Sequence, residues 1–201
     1  MDIRWMTATA MMMAVTILLG STPLGLIRLP FLTATTLHIP VIIAVLVLGL
    51  KAGLLTGLTF GLCSLITNLQ GTSFFAPFFI NPLVSVLPRL LFPAAVYGIC
   101  RMCAPLAKRA GKWRYAMYVG AAALGTALHT AMVMGMIYLL YAPSIRAMLS
   151  AGAGVPQLIA QRGVGLGVAA LGVANGIPEM IVASLIAPPI AAALERVTGR
   201  R

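Results

Sequence analysis

The sequence predicts an all-α, polytopic membrane protein with six transmembrane helices and both termini cytoplasmic. Three observations carry that expectation. Of 201 residues, 61% are hydrophobic before 20 glycines are counted, whereas soluble domains reach roughly 45–50% with glycine included. Only 14 basic and 3 acidic residues are present. Apolar runs near the roughly 20 residues that a span requires recur along the chain. The net charge of +11 taken alone suggests a nucleic-acid partner. A soluble surface cannot be built from so little polar material, so nucleic acid is excluded, and disorder with it. One domain over residues 1–201 remains.

The first predicted span runs from Trp5 to Ser21 and stops at Pro23 and Gly25. Arg4, an apolar run and Gly20-Ser21-Thr22 imitate a signal peptide, but no small-x-small cleavage site follows, so an uncleaved span is expected. The second runs from His38 to Gly49, with Pro40 suited to a first helical turn. After a tight turn at Lys51, the third runs from Ala52 to Asn68. A polar, aromatic stretch over 70–81 separates it from the fourth, Pro82 to Cys103. Asn81-Pro82 reads there as an N-cap with proline at the first helical position. The basic run Lys108, Arg109, Lys112 and Arg114 precedes the fifth span, Tyr115 to Tyr141. Residues 143–172 are glycine-rich and read as a loop with short half-buried helices. Asn175-Gly-Ile-Pro then opens the sixth helix, which ends near Glu195 and is expected to kink at Pro188-Pro189.

Charge orients this arrangement. Arg4, Lys51, Arg101, Lys108, Arg109, Lys112, Arg114, Arg196, Arg200 and Arg201 fall on one side, against Arg28, Arg146 and Arg162 on the other. Cytoplasmic loops carry the Lys/Arg excess, so both termini are expected inside. Trp5 and Trp113 fall at the inner interface, where aromatic belts form.

Small residues at four-residue spacing let membrane helices approach closely. Gly53, Gly57 and Gly61 stripe one face of the third span and read as internal packing. Ala10 and Ala14 do the same in the first span, among Met11, Met12 and Met13, which suit an adaptable partner surface. Core and partner readings stay open for that pair. Cys100 and Cys103 form a CxxC without further ligands and read as inert thiols.

Charge inside a bilayer is a functional hypothesis by default. Arg89 lies seven residues past Pro82, roughly 10 Å into the span at the helical rise. Glu179 lies four residues past Asn175. Both belong to the outer half. Arg89 either holds an anionic ligand group with its planar fork or pairs with Glu179, and the two readings are compatible. His38 and His129 are the only histidines. Two histidines and one intramembrane acid make a poor metal site, so hydrogen bonding is expected of them. Asn68, Asn81 and Asn175 fall at outer helix ends. No acidic cluster, catalytic triad or phosphate-binding loop can be assembled, so neither an enzyme nor a resident cofactor is expected. A pump built on this chain needs a separate ATPase.

Thr33-Ala-Thr-Thr-Leu-His-Ile-Pro-Val-Ile-Ile and Leu48-Gly-Leu-Lys-Ala-Gly resemble the substrate-binding S components of energy-coupling factor (ECF) vitamin transporters. So do Gly57-Leu-Thr-Phe-Gly-Leu-Cys-Ser-Leu-Ile, Leu87-Pro-Arg-Leu-Leu and Ala174-Asn-Gly-Ile-Pro-Glu. The Thr-x-His-Ile-Pro segment is most similar to the pantothenate-type branch. The resemblance implies a multi-pass protein of a prokaryotic plasma membrane that captures a vitamin from outside. It implies docking on a transmembrane scaffold subunit with two cytoplasmic ATPases, and toppling to carry the pocket inward. Ala10 and Ala14 match the family's docking motif, and residues 23–36 would form a lid. Arg89 would meet the pantothenate carboxylate. His38, Thr36, Asn68 and Asn175 would serve its hydroxyl and amide groups, with Glu179 and His129 in the same site. Riboflavin, folate or another vitamin on the same fold is the first alternative. An ion-coupled secondary transporter titrating Glu179 is the second.

Overall fold

The computed structural model describes residues 3–23, 25–28, 33–71, 74–107, 111–152 and 154–198. Asp2, Lys108, Arg109, Arg200 and Arg201 lie outside the described residues, as do 29–32 of the expected lid. Five helices are long and apolar enough to cross a membrane, and a sixth apolar helix is shorter. The end where most basic residues gather is called inner, and the other outer.

Helix α1 (Ile3–Gly20) packs on the second and third helices through Thr9, Met12 and Thr16. The hydroxyls of Thr9 and Thr16 donate to carbonyls one turn back, both at 2.8 Å, so they satisfy themselves in apolar surroundings. Ala10 and Ala14 lie on the opposite, open face with Met6 and Leu18. That rules out the core-packing reading of the alanine pair within this chain.

Helix α2 (His38–Leu48) is apolar all round, and a helix of that pattern belongs in an interior. It is sheathed by the others, with Val41, Ile42 and Ala44 wholly buried. Gly49, at φ 91°, breaks it from α3 (Leu50–Leu69), a backbone conformation that favours glycine. The glycine stripe of α3 is an internal seam, as expected. A Cβ at Gly57 would collide with the carbonyl of Arg89, and one at Gly61 would stand 3.0 Å from the Val86 Cα.

The link expected to be loop over 70–81 holds one turn of helix, α4 (Ala76–Phe79). Asn81 caps α5 (Pro82–Ser85) by accepting from Leu83 N at 3.0 Å, as its sequence predicts. The fourth span is not continuous from Pro82, however. The chain breaks at Val86, and α6 (Leu87–Ala107) begins afresh. Pro88 explains the break: it has no N–H for the carbonyl of Val84 four residues back, and its ring crowds that carbonyl.

The largest departures are at the far end. Helix α7 spans Gly111–Ser150 and passes through Pro143, rather than stopping at Tyr141. Helix α8 spans Gln157–Thr198, so the stretch 143–172, read as a loop with short half-buried helices, mostly belongs to the two long helices instead. Asn175 lies inside α8 and is no helix cap. Glu179 is correspondingly mid-helix rather than in a first turn. Pro188 and Pro189 sit within helical backbone, and the non-helical residue in α8 is Gly163, at φ 75°. Tertiary packing overrides weak propensity here. At about 60 Å by the helical rise, α7 is twice the roughly 30 Å hydrocarbon core, whereas α8 is two helices that turn at Gly163, where a Cβ on Gly167 would collide with the Ile159 backbone. Their outer parts bury Ile137, Ala142, Ile145, Ile159, Val164 and Val168 against Phe75, Phe78 and Val84.

Two cores result. The inner one joins α1, α2, α3, α6 and the inner parts of α7 and α8. The outer one joins α4, α5 and the outer parts of α7 and α8. A small antiparallel hairpin, β1 (Leu26–Arg28) and β2 (Thr33–Thr35), links α1 to α2 where a loop was expected. At the inner end, Arg114 pairs with Glu195 at 2.7 Å, clasping α7 to α8, and Trp5 Nε1 donates to the Leu48 carbonyl at 3.1 Å.

Candidate functional site

At the boundary between the two cores the helices enclose a polar cluster. Its centre is Arg89, 4% exposed. The residue that broke the fourth span also places this guanidinium. Val84 O, deprived of a helical partner by Pro88, accepts from Arg89 Nη1 at 2.7 Å. Arg89 Nη2 makes a longer contact to Ser64 Oγ of α3, at 3.5 Å. The guanidinium carbon lies 5.2 Å from the Phe60 ring centre and 5.1 Å from that of Phe79, within cation–π range. The Arg89 Nε has no partner.

Beside it, His38 and His129 lie nearly parallel with ring centres 6.1 Å apart. Phe60 and Phe92 flank His129 at 5.5 and 5.1 Å. Both ring nitrogens of His38 are buried without hydrogen-bond geometry to any group, as is Nδ1 of His129. Across from them, Asn175 Nδ2 donates to Glu179 Oε1 at 3.1 Å, leaving Asn175 Oδ1 unpartnered. The same Glu179 oxygen accepts the Thr35 amide at 2.6 Å. Arg89 and Glu179 share the cluster but form no salt bridge, so the direct ion pair weighed from sequence is not made.

Five buried polar atoms of Arg89, His38, His129 and Asn175 are thus without partners, while the sixth such atom among the described residues, Thr130 Oγ1, lines the groove between α7 and α8. Each such atom costs about 1–3 kcal/mol. A polar ligand that meets them recovers that cost directly. The donor at Arg89 asks for an anion, and the acceptor at Asn175 asks for a hydroxyl or N–H. That separate apolar groove, of about 510 Å³, carries no charged lining residue, so it offers no such recognition. Among the described residues no cluster of three or more His, Cys, Asp or Glu side chains could hold a metal ion.

The structure therefore brings together Arg89, His38, His129, Asn175 and Glu179. It does not bring in Asn68, whose amide donates to the Ser64 carbonyl of its own helix at 2.7 Å, one turn beyond the cluster. Thr36 is at the hairpin base, its amide donating to the Gly25 carbonyl at 3.0 Å. Sequence reasoning missed Ser64, Phe60, Phe79, Phe92 and Thr35. One signal was present for the anchoring of Arg89: a proline immediately before a buried arginine frees a carbonyl within its reach.

Fold and composition together define a polytopic helical membrane protein. The family model for the substrate-specific component of ECF transporters matches residues 4–191, and the chain belongs to that family. It is thus the membrane-embedded, substrate-binding part of a transporter that docks on an ECF module. No curated protein sequence matches the chain.

Proposed function

We propose that this S component captures pantothenate from outside the cell and delivers it to an ATP-driven coupling module of one scaffold subunit and two ATPases. In this reading α1, α2, α3, α6, α7 and α8 are the six membrane-crossing elements of a prokaryotic plasma-membrane protein, with both termini cytoplasmic. The ten-to-three division of basic residues supports that orientation.

The observation that carries the ligand assignment is the buried, incompletely paired Arg89 facing a ring of unpartnered polar atoms. Pantothenate offers a carboxylate at one end, hydroxyls at the other and an amide between. Arg89 takes the carboxylate, held flat by Phe60 and Phe79. His38, His129 and Asn175 take the hydroxyl and amide groups, while Thr36 and Asn68 belong to the rim. Binding proceeds by exchange of water for these fixed groups, without covalent chemistry. The open face of α1 bearing Ala10 and Ala14 supplies the docking surface.

Mass spectrometry of small molecules released from the purified protein tests the assignment. Pantothenate is the expected species. A vitamin without a carboxylate, such as riboflavin, would overturn it.

A further inference from the structure

We infer that Glu179 is the positioning residue of the site: its Oε1 simultaneously fixes the backbone that presents His38 and the direction of the Asn175 amide. The consequence for ligand choice rests on the proposed binding site. The positioning itself does not.

The geometry runs through one atom. A carboxylate oxygen only accepts hydrogen bonds. The partner from Asn175 is therefore its NH₂, at 3.1 Å, and this turns Oδ1 away from Glu179 and leaves it buried without a partner. Glu179 thereby makes the site an acceptor at that point, and the ligand must present a hydroxyl or N–H there. At the opposite end of the cluster Arg89 presents donors. The site has a polarity, with an acid expected at Arg89 and a donor at Asn175, and the second half of it is set by Glu179.

The second bond, from Thr35 N at 2.6 Å, joins β2 to α8 across 144 residues of sequence. Thr35 opens the approach to α2. Its Oγ1 accepts from Leu37 N at 3.1 Å, Thr36 N donates to Gly25 O at 3.0 Å, and Ile39 N donates to Thr36 O at 3.0 Å. His38 stands inside this pinned run, and the attachment of the run to α8 is the Glu179 carboxylate. Charge-assisted bonds of this kind are among the stronger protein hydrogen bonds.

Hydrogen exchange of the ligand-free, purified protein tests the positioning. In Glu179→Ala the Thr35 amide is expected to exchange about 10- to 100-fold faster, the loss of one hydrogen bond to a charged group. In Glu179→Gln, which keeps an acceptor oxygen, the increase is expected to stay near threefold, by analogy with a neutral bond. Amides of residues 180–187 serve as the control and should not change. An unchanged Thr35 amide in Glu179→Ala, or equal loosening of 180–187, would overturn the inference. Ligand choice is then read with pantothenate and an analogue whose hydroxyls are replaced by hydrogen. The wild type should prefer pantothenate, Glu179→Ala should lose most of that preference, and an unaltered preference would contradict the claim about Asn175. Failure of wild type to bind pantothenate would reject the vitamin assignment and leave the exchange result to decide on Glu179.

Discussion

Replacing Arg89 by glutamine removes the charge while keeping a side chain that fits between Phe60 and Phe79. The wild-type guanidinium is 4% exposed, spends Nη1 on Val84 O at 2.7 Å and keeps Nε unpartnered. A ligand carboxylate placed against it is desolvated on both sides. Removing one partner of such a buried charge pair costs about 2–5 kcal/mol of binding. At 1.4 kcal/mol per tenfold, the dissociation constant for pantothenate should rise about 30- to 4,000-fold. Isothermal titration of the purified protein reads this directly. Thermal unfolding of the same preparation guards against simple misfolding, with Arg89→Lys as a companion. Lysine keeps the charge but loses the planar fork, so it should recover only part of the affinity. A folded Arg89→Gln protein that binds within threefold of wild type would refute the assignment of Arg89 to the carboxylate.

Two further outcomes follow from the packing. Gly57→Val places a Cβ against the Arg89 carbonyl, so the α3–α6 seam must open; overpacking of this kind costs about 1–3 kcal/mol. A lowered unfolding temperature together with weakened pantothenate binding is expected, whereas an unchanged unfolding temperature would show that the seam yields freely. Ala10→Trp combined with Ala14→Trp alters a face that packs on nothing in this chain, so binding by the isolated protein should persist while uptake in cells falls at least tenfold. Intact uptake would refute docking through α1.

The inner half of the fold was legible in the sequence because its signals are local. Gly49 ends α2 and the Gly53–Gly57–Gly61 spacing marks a seam, each acting within one or two turns. The outer half was not. Pro143 and the glycines over 152–172 read as terminators. Yet burial of Ile145 and Ile159 against Phe75 and Phe78 stabilises helix there, and those contacts join segments more than 60 residues apart. The site divides the same way. Intramembrane rarity identified Arg89, Glu179 and both histidines. The partner of Arg89 was signalled only indirectly, because Val84 O becomes available through the break at Pro88. Asn175 reads in the sequence as the opening of a helix, but it is a mid-helix residue turned by Glu179 one helical turn on.

The bond from Trp5 to Leu48 has a mechanical consequence. Helix α2 is a rod of 11 residues, about 16 Å long, with His38 at its outer tip and Leu48 at its foot. Close packing on all sides leaves such a rod little room to bend, so it moves as one piece. The indole of α1 grips the foot. A tilt of α1 relative to the bundle therefore has a short, stiff route to the His38 imidazole in the buried polar cluster, and the open face of α1 and that cluster share a single lever arm.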